Sequence, residues 1–184
     1  VLTGVLSGGA SLSVNSLGDS QPGVLVLTNA STYTGGTDIA AGVLRLENAG
    51  ALPAVGVVNV DGELDFSDAG TGVAGTGNRT VGGLSGSVAG LVAMGSHVLT
   101  VDQSANTTFA GSLVDGGFAG GEGARLVKKG SGNLTLNGAN SYTGDTTVAE
   151  GTLTLGALSS LASRGIAVDS GASLVAESGS LLPQ

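Results

Sequence analysis

Hydrophobic positions along this chain come in short alternating pairs set between glycines and asparagines. Leu25 and Leu27 bracket one residue, as do Leu44 and Leu46, Val58 and Val60, and Leu64 and Phe66. Side chains of a strand alternate with period two, so each pair predicts a short strand with one buried face. Turn-forming segments lie between them, among them Tyr33-Thr34-Gly35-Gly36, Ala41-Gly42, Asp61-Gly62 and Ser67-Asp68-Ala69-Gly70. No run of apolar residues at 3.6 spacing persists for three turns, so no helix is predicted.

The pattern repeats on a longer scale. Residues 25–46 (LVLTNASTYTGGTDIAAGVLRL) align without a gap to residues 134–155 (LTLNGANSYTGDTTVAEGTLTL). Tyr33, Gly35, Gly42, Leu44 and Leu46 thereby fall on Tyr142, Gly144, Gly151, Leu153 and Leu155, an offset of 142 − 33 = 109. The match continues downstream, where Val58-Asn59-Val60-Asp61 meets Ile166-Ala167-Val168-Asp169, and upstream, where Leu2–Gly9 resembles Phe109–Gly116. One continuous domain over residues 1–184 is predicted, with its unit present nearly twice, at about 1–108 and about 109–184. These ten aligned positions are assigned a structural role in the repeat.

Three architectures accommodate many short strands with turns. A sandwich or barrel joins neighbours through tight hairpins, but the connection Thr28–Asp38 is too long for one. A propeller has a period near 40 with aromatic marks, and these are missing. A parallel β-helix needs rungs of about twenty residues and rows of small aliphatics. The step from Leu25 to Leu44, 44 − 25 = 19, suits it. The expected fold is all-β: a right-handed single-stranded parallel β-helix, or β-solenoid, of roughly eight rungs, about 40 Å long at the strand spacing of a sheet.

Composition sharpens this picture. The chain has 35 glycines, no cysteine, no tryptophan, 3% aromatics and only 11% charged residues. A mean hydropathy of +0.37 is too apolar for a disordered linker. Glycine does not fall at every third position, which excludes collagen. A net charge of −8 with six basic residues argues against nucleic acid as a partner. No apolar run approaches a membrane span, so direct membrane insertion is not expected. No basic segment followed by an apolar one opens the chain. Val1 stands in mid-pattern, as expected of a piece of something longer.

Two blocks, VLVLTNASTYTGGTDIAAGVLRLE (24–47) and GSGNLTLNGANSYTGDTTVAEGTLTLG (130–156), closely resemble the passenger-associated strand repeat of bacterial autotransporters. Residues 80–90 (TVGGLSGSVAG) and 105–117 (ANTTFAGSLVDGG) resemble other segments common in such passengers. The resemblance implies type V secretion through a C-terminal outer-membrane barrel, which is absent here, and a place at the bacterial cell surface. It implies a stalk that supports display and folding during export, within a protein that is an adhesin acting in cell adhesion, virulence or biofilm. The absence of cysteine agrees with passage through a narrow pore largely unfolded. Two alternatives stand beside it: an adhesive module that self-associates or binds a host-surface ligand, glycan or protein, and, third, a polysaccharide-active β-helix.

Candidate chemistry is sparse, and no catalytic residue, cofactor or enzyme activity is expected. Gly70-Thr-Gly72-Val-Ala-Gly75 fits the dinucleotide pattern GxGxxG but lacks the strand–helix context that gives the pattern meaning; it reads as a turn. His97, the single histidine, has no GxSxG elbow to serve and reads as a solvent-facing or loop residue. Without cysteine it cannot complete a zinc site. Asp61, Glu63 and Asp65 alternate and are expected on one face, with Asp68 nearby and Arg79 the nearest cation. They read as a solvated acidic face, and otherwise as a weak calcium set or the carboxylates of a sugar-cleaving groove. Asp115 and Glu122 flank a glycine-rich loop. Tyr33 and Tyr142 cover a bend and cap the aliphatic stack, or else serve as adhesive contacts. Lys128-Lys129 are expected to blunt an exposed edge.

Overall fold

The computed structural model describes residues 1–15, 23–47, 51–68 and 77–182. Their regular structure is all strand, with no helix. The chain winds in circuits. After Leu2 come β1 (Ser7–Gly8) and β2 (Leu12–Val14), then β3 (Val24–Leu27), β4 (Thr32–Tyr33) and β5 (Thr37–Ile39). The next circuits are β6 (Val43–Leu46) and β7 (Val58–Val60), then β8 (Glu63–Asp65), β9 (Arg79–Val81) and β10 (Leu84–Ser85). They are followed by β11 (Leu91–Ala93), β12 (Val98–Asp102) and β13 (Thr107–Phe109), and by β14 (Ser112–Val114), β15 (Arg125–Lys129) and β16 (Asn133–Leu136). The last two are β17 (Ala139–Asn140), β18 (Thr146–Val148) and β19 (Thr152–Leu155), and β20 (Ser160–Leu161), β21 (Ile166–Val168) and β22 (Ser173–Ala176).

Every strand pairing is parallel and joins one circuit to the next, which makes a three-faced β-solenoid. The first face stacks β3, β6, β8, β11 and β14; the second stacks β9, β12, β15, β18 and β21. The third stacks β2, β5, β7 and β10, then β13, β16, β19 and β22, joined by the Gly86–Phe109 bridge. Eight strands on that face mean about seven turns, close to the roughly eight rungs expected, and a rod of roughly 35 Å.

In-register stacking puts like residues over like. Leu25, Leu44, Leu64, Val92 and Leu113 form one inward column on the first face. Phe109, Leu136, Leu155 and Ala176 form another on the third. All are buried except the half-buried Leu25 and the exposed Ala176, which lie toward the ends of their columns. Turn length varies between rungs: Leu134 lies under Leu153, whereas the circuit that brings Leu136 over Phe109 is longer. The extra residues leave as loops, so the strand register is untouched.

The two copies of the repeat are built alike. Tyr33 and Tyr142 are both buried, and each hydroxyl lies 2.6 Å from the threonine four residues on, Thr37 and Thr146. Gly42 and Gly151 turn the chain into the following strand at φ of +80° and +66°, a region L side chains rarely adopt. A Cβ at Gly42 would lie 2.5 Å from the Gly23 carbonyl oxygen of the neighbouring rung, and one at Gly151 would strike that of Gly130. Gly35 and Gly144 likewise leave no room, against Ser11 and Ala124. Leu44, Leu46, Leu153 and Leu155 complete the buried set.

Leu136→Ala should lower stability by about 2–5 kcal/mol in urea denaturation, as core truncations do. A second outcome concerns alkaline pH. Burial raises the Tyr142 pKa above the ordinary 10.0, against a smaller lowering by the Thr146 hydrogen bond. The folded state therefore holds its phenol proton where the unfolded state gives it up. This stability is complete below about pH 10 and falls as pH rises beyond it. In a Tyr33→Phe variant, phenolate absorbance should appear only together with loss of the β circular dichroism signal; titration near pH 10 in a still-folded chain would refute the burial.

Candidate functional site

The outward side chains of the strands form one set of surfaces that this rod presents. On the third face the outward column runs Ser13, Asp38, Asn59 and Ser85. These side chains bond along the axis: Ser85 donates to Asn59 Oδ1 at 3.0 Å, and Asn59 Nδ2 donates to Asp38 Oδ1 and to Asp61 Oδ2, both at 2.9 Å. The column continues as Thr108, Thr135, Thr154 and Val175. There Thr154 donates to Asn133 Oδ1 at 3.0 Å. The second face shows a plainer column of Thr80, Thr100, Val127, Thr147 and Ala167.

The acidic residues do not gather as the alternation predicted. Asp61 belongs to the turn after β7 and faces the polar column of the third face. Hydrogen bonds from Ser87, side chain and backbone, and then from Asn59 hold its pKa below the usual carboxylate range. Glu63 and Asp65 do share the first face, and burial, with a smaller contribution from the Asp65 charge, pushes Glu63 up against the pull of Arg45. Asp65 itself is buried, at 1% exposure, and not on a solvated face. Among the described residues no three His, Cys, Asp or Glu side chains converge as metal ligands. Asp61 is therefore not brought together with Glu63 and Asp65; alternation alone could not show that Asp61 lies past a corner.

Asp65 is buried because a loop lies over it. Residues 115–124 leave β14 and run back across the first face, away from the direction of winding. Phe118 N–H donates to Asp65 Oδ2 at 2.8 Å, and Ala119 N–H to Ser67 Oγ at 3.0 Å. Ser67 in turn donates to Asp65 Oδ1 from both its backbone and its hydroxyl. The Phe118 ring stacks on Arg45, whose guanidinium carbon is 3.6 Å from the ring centroid. Asp115 ties down the other end by accepting from Gly123, Ala124 and Thr143. Asp115 and Glu122 thus do different work: the first is a staple and the second is exposed.

Lys128 corrects the expectation of an edge-blunting pair. Lys129 is exposed, but Lys128 points inward in the column Val81, Val101, Lys128, Val148 and is fully buried. Its ammonium donates to the carbonyls of Lys129 at 2.6 Å and Gly130 at 2.8 Å, satisfying a turn from inside the coil. Burial lowers its pKa, opposed by Asp102 and Glu150. Arg79 occupies the column of Leu99 and Leu126 and is also buried, which brings its pKa down to about 10. Nothing places Arg79 in a sugar groove. His97 is partly buried in the turn before β12, its Nε2 3.1 Å from the Ser67 carbonyl. Gly70–Gly75 lie outside the described residues.

Comparison with known proteins bears on what such a rod is. Residues 20–46 and 126–155 match the passenger-associated-transport-repeat, the blocks that carry both buried tyrosines. The chain is also 35% identical over 137 residues, 71% of its length, to the adhesin BmaC autotransporter of Brucella suis biovar 1 (strain 1330). It spans 4% of that relative's length. No solved structure matches the chain.

Asp65→Asn should loosen the loop over the first face. The amide can still accept from Ser67 but turns an N–H toward the Phe118 N–H, and one charge-assisted hydrogen bond is lost. Hydrogen exchange at Phe118 and Ala119 should accelerate about tenfold or more, with Leu126 and Leu134 unchanged. Unaltered exchange at Phe118 would mean that Asp65 does not hold the loop.

Proposed function

We propose that this chain, an adhesin-like segment of an autotransporter passenger bearing two passenger-associated transport repeats, is a stalk that supports display and folding in a secreted or surface-displayed protein. The observation that carries the reading is where the outward polar groups spend their hydrogen bonds. Ser85, Asn59 and Asp38 bond to one another across rungs, as do Ser87 and Asp61, and Thr154 and Asn133. Groups arranged that way strengthen coil-to-coil cohesion and leave little unsatisfied for a reacting substrate. A non-enzymatic role fits the same geometry, because Asp61 and Asp65 have their oxygens engaged.

The physical mechanism is additive stacking. Each new rung finds its backbone partners and its apolar column already presented by the rung before it. Folding can therefore advance one coil at a time as chain emerges, with stability growing roughly as a sum over rung interfaces. Anchoring by an outer-membrane barrel of the parent protein belongs to this proposal, as does adhesion at a site elsewhere in it.

Self-association through the polar column of the third face is the second reading. One experiment separates the two: sedimentation velocity of the purified chain over a wide concentration range, with circular dichroism on the same samples. A β-rich monomer with the frictional ratio of a short rod is expected. Concentration-dependent association abolished by Asn59→Ala or Thr108→Ala would replace the stalk with an adhesive module.

A further inference from the structure

The chain has six basic residues, few enough to follow one by one. Arg45 pairs with Glu47 at 3.5 Å and stacks on Phe118. Arg79 and Lys128 are buried. Lys129 stands opposite Asp102 in the register of β12 and β15. Arg125 and Arg164 remain. Both are exposed, and neither makes a hydrogen bond or ion pair through its side chain with any described residue. They line the same open cavity of about 550 Å³, together with Glu122, Thr143 and Asp145.

This cavity is directional. Leu126, Thr146 and Ile166 are in register, so Arg125, Asp145 and Gly165, each one residue earlier, follow one another at one-rung steps. Arg164 sits beside Gly165, two rungs or about 10 Å from Arg125. Backbone forms part of the wall, since a Cβ at Gly144 would run into the carbonyls of Ala124 and Gly123. A second cavity of about 470 Å³ shares Glu122, Gly123 and Arg125 and extends the same trough toward Asn78 and Ser96.

A guanidinium recognises a carboxylate through a planar two-point fork. Carboxylates accept from hydroxyls. A trough along the axis with arginines rooted two rungs apart and carboxylates beside them thus presents two kinds of contact in alternation. We propose that it binds an extended, unsulfated acidic polysaccharide with a uronic acid at every second sugar. Successive sugar carboxylates meet Arg125 and Arg164, and the intervening hydroxyls meet Asp145 and Glu122. Heavily sulfated chains are disfavoured by those two acids and by the net charge of −8. This site adds a ligand to the rod and does not depend on the stalk reading.

The test is a nitrogen-15 NMR titration of the whole chain with a hyaluronan octasaccharide. Shifts should concentrate at residues 122–126, 143–146 and 163–166 and fade with added salt. Arg125→Gln and Arg164→Gln should each weaken binding about fivefold, the loss of one exposed charge pair, without changing the thermal melt. An uncharged chitin oligosaccharide of equal length, a heparin octasaccharide and a polyglutamate peptide serve as comparisons. Absence of shifts at millimolar ligand, undiminished binding by the arginine variants, or equal or tighter binding of any comparison ligand would overturn the proposal.

Discussion

Each coil of this chain is held by the parallel backbone ladder it shares with the coils on either side, and side-chain placement follows from that ladder. A parallel ladder in register fixes the rung spacing and forces residue to stack on residue of the same orientation. Small aliphatics in columns suit that demand, because each touches its counterparts above and below without needing to interdigitate across a wide core. A chain with 3% aromatics can still bury itself this way. The ladder also explains Gly42 and Gly151. A corner lies within van der Waals reach of the corner below, so a side chain there would meet the neighbouring carbonyl.

Register binds the strands and leaves the loops free. The short rung from Leu134 to Leu153 and the longer one from Phe109 to Leu136 coexist because an insertion at a corner leaves the ladder intact. The loop at 115–124 shows what such freedom permits. It reaches back against the direction of winding and clasps strands already laid down, through Asp65, Ser67 and the ring of Phe118 on Arg45. An ordinary rung touches only its neighbours; this clasp couples coils further apart and makes that stretch of rod less one-dimensional than a simple repeat.

Charge is used sparingly and in specific places. Lys128 satisfies turn carbonyls from within an apolar column, and Asp115 gathers three backbone donors at a loop end. Asp61 joins two rungs through Asn59 and Ser87. With these roles filled, Arg125 and Arg164 are left exposed, without a side-chain partner among the described residues.

The amino-acid sequence by itself determined the strand periodicity, the two copies that lay Tyr33 on Tyr142, the inward leucines and the passenger resemblance, because period two and glycine corners are local properties of the chain. It also held a signal about Lys128 that reading the lysines as a pair obscured: alternation from Leu126 puts Lys128 inward and Lys129 outward. Only the tertiary structure decided which groups meet. Asp61 and Asp65 are close in sequence yet lie on different faces, since a corner intervenes. Asp65 is buried by the distant Phe118, and Arg125 and Arg164 share a trough only because two further coils bring them onto the same side of the rod. Contacts between rungs depend on the length of every loop between them, and no local pattern carries that sum.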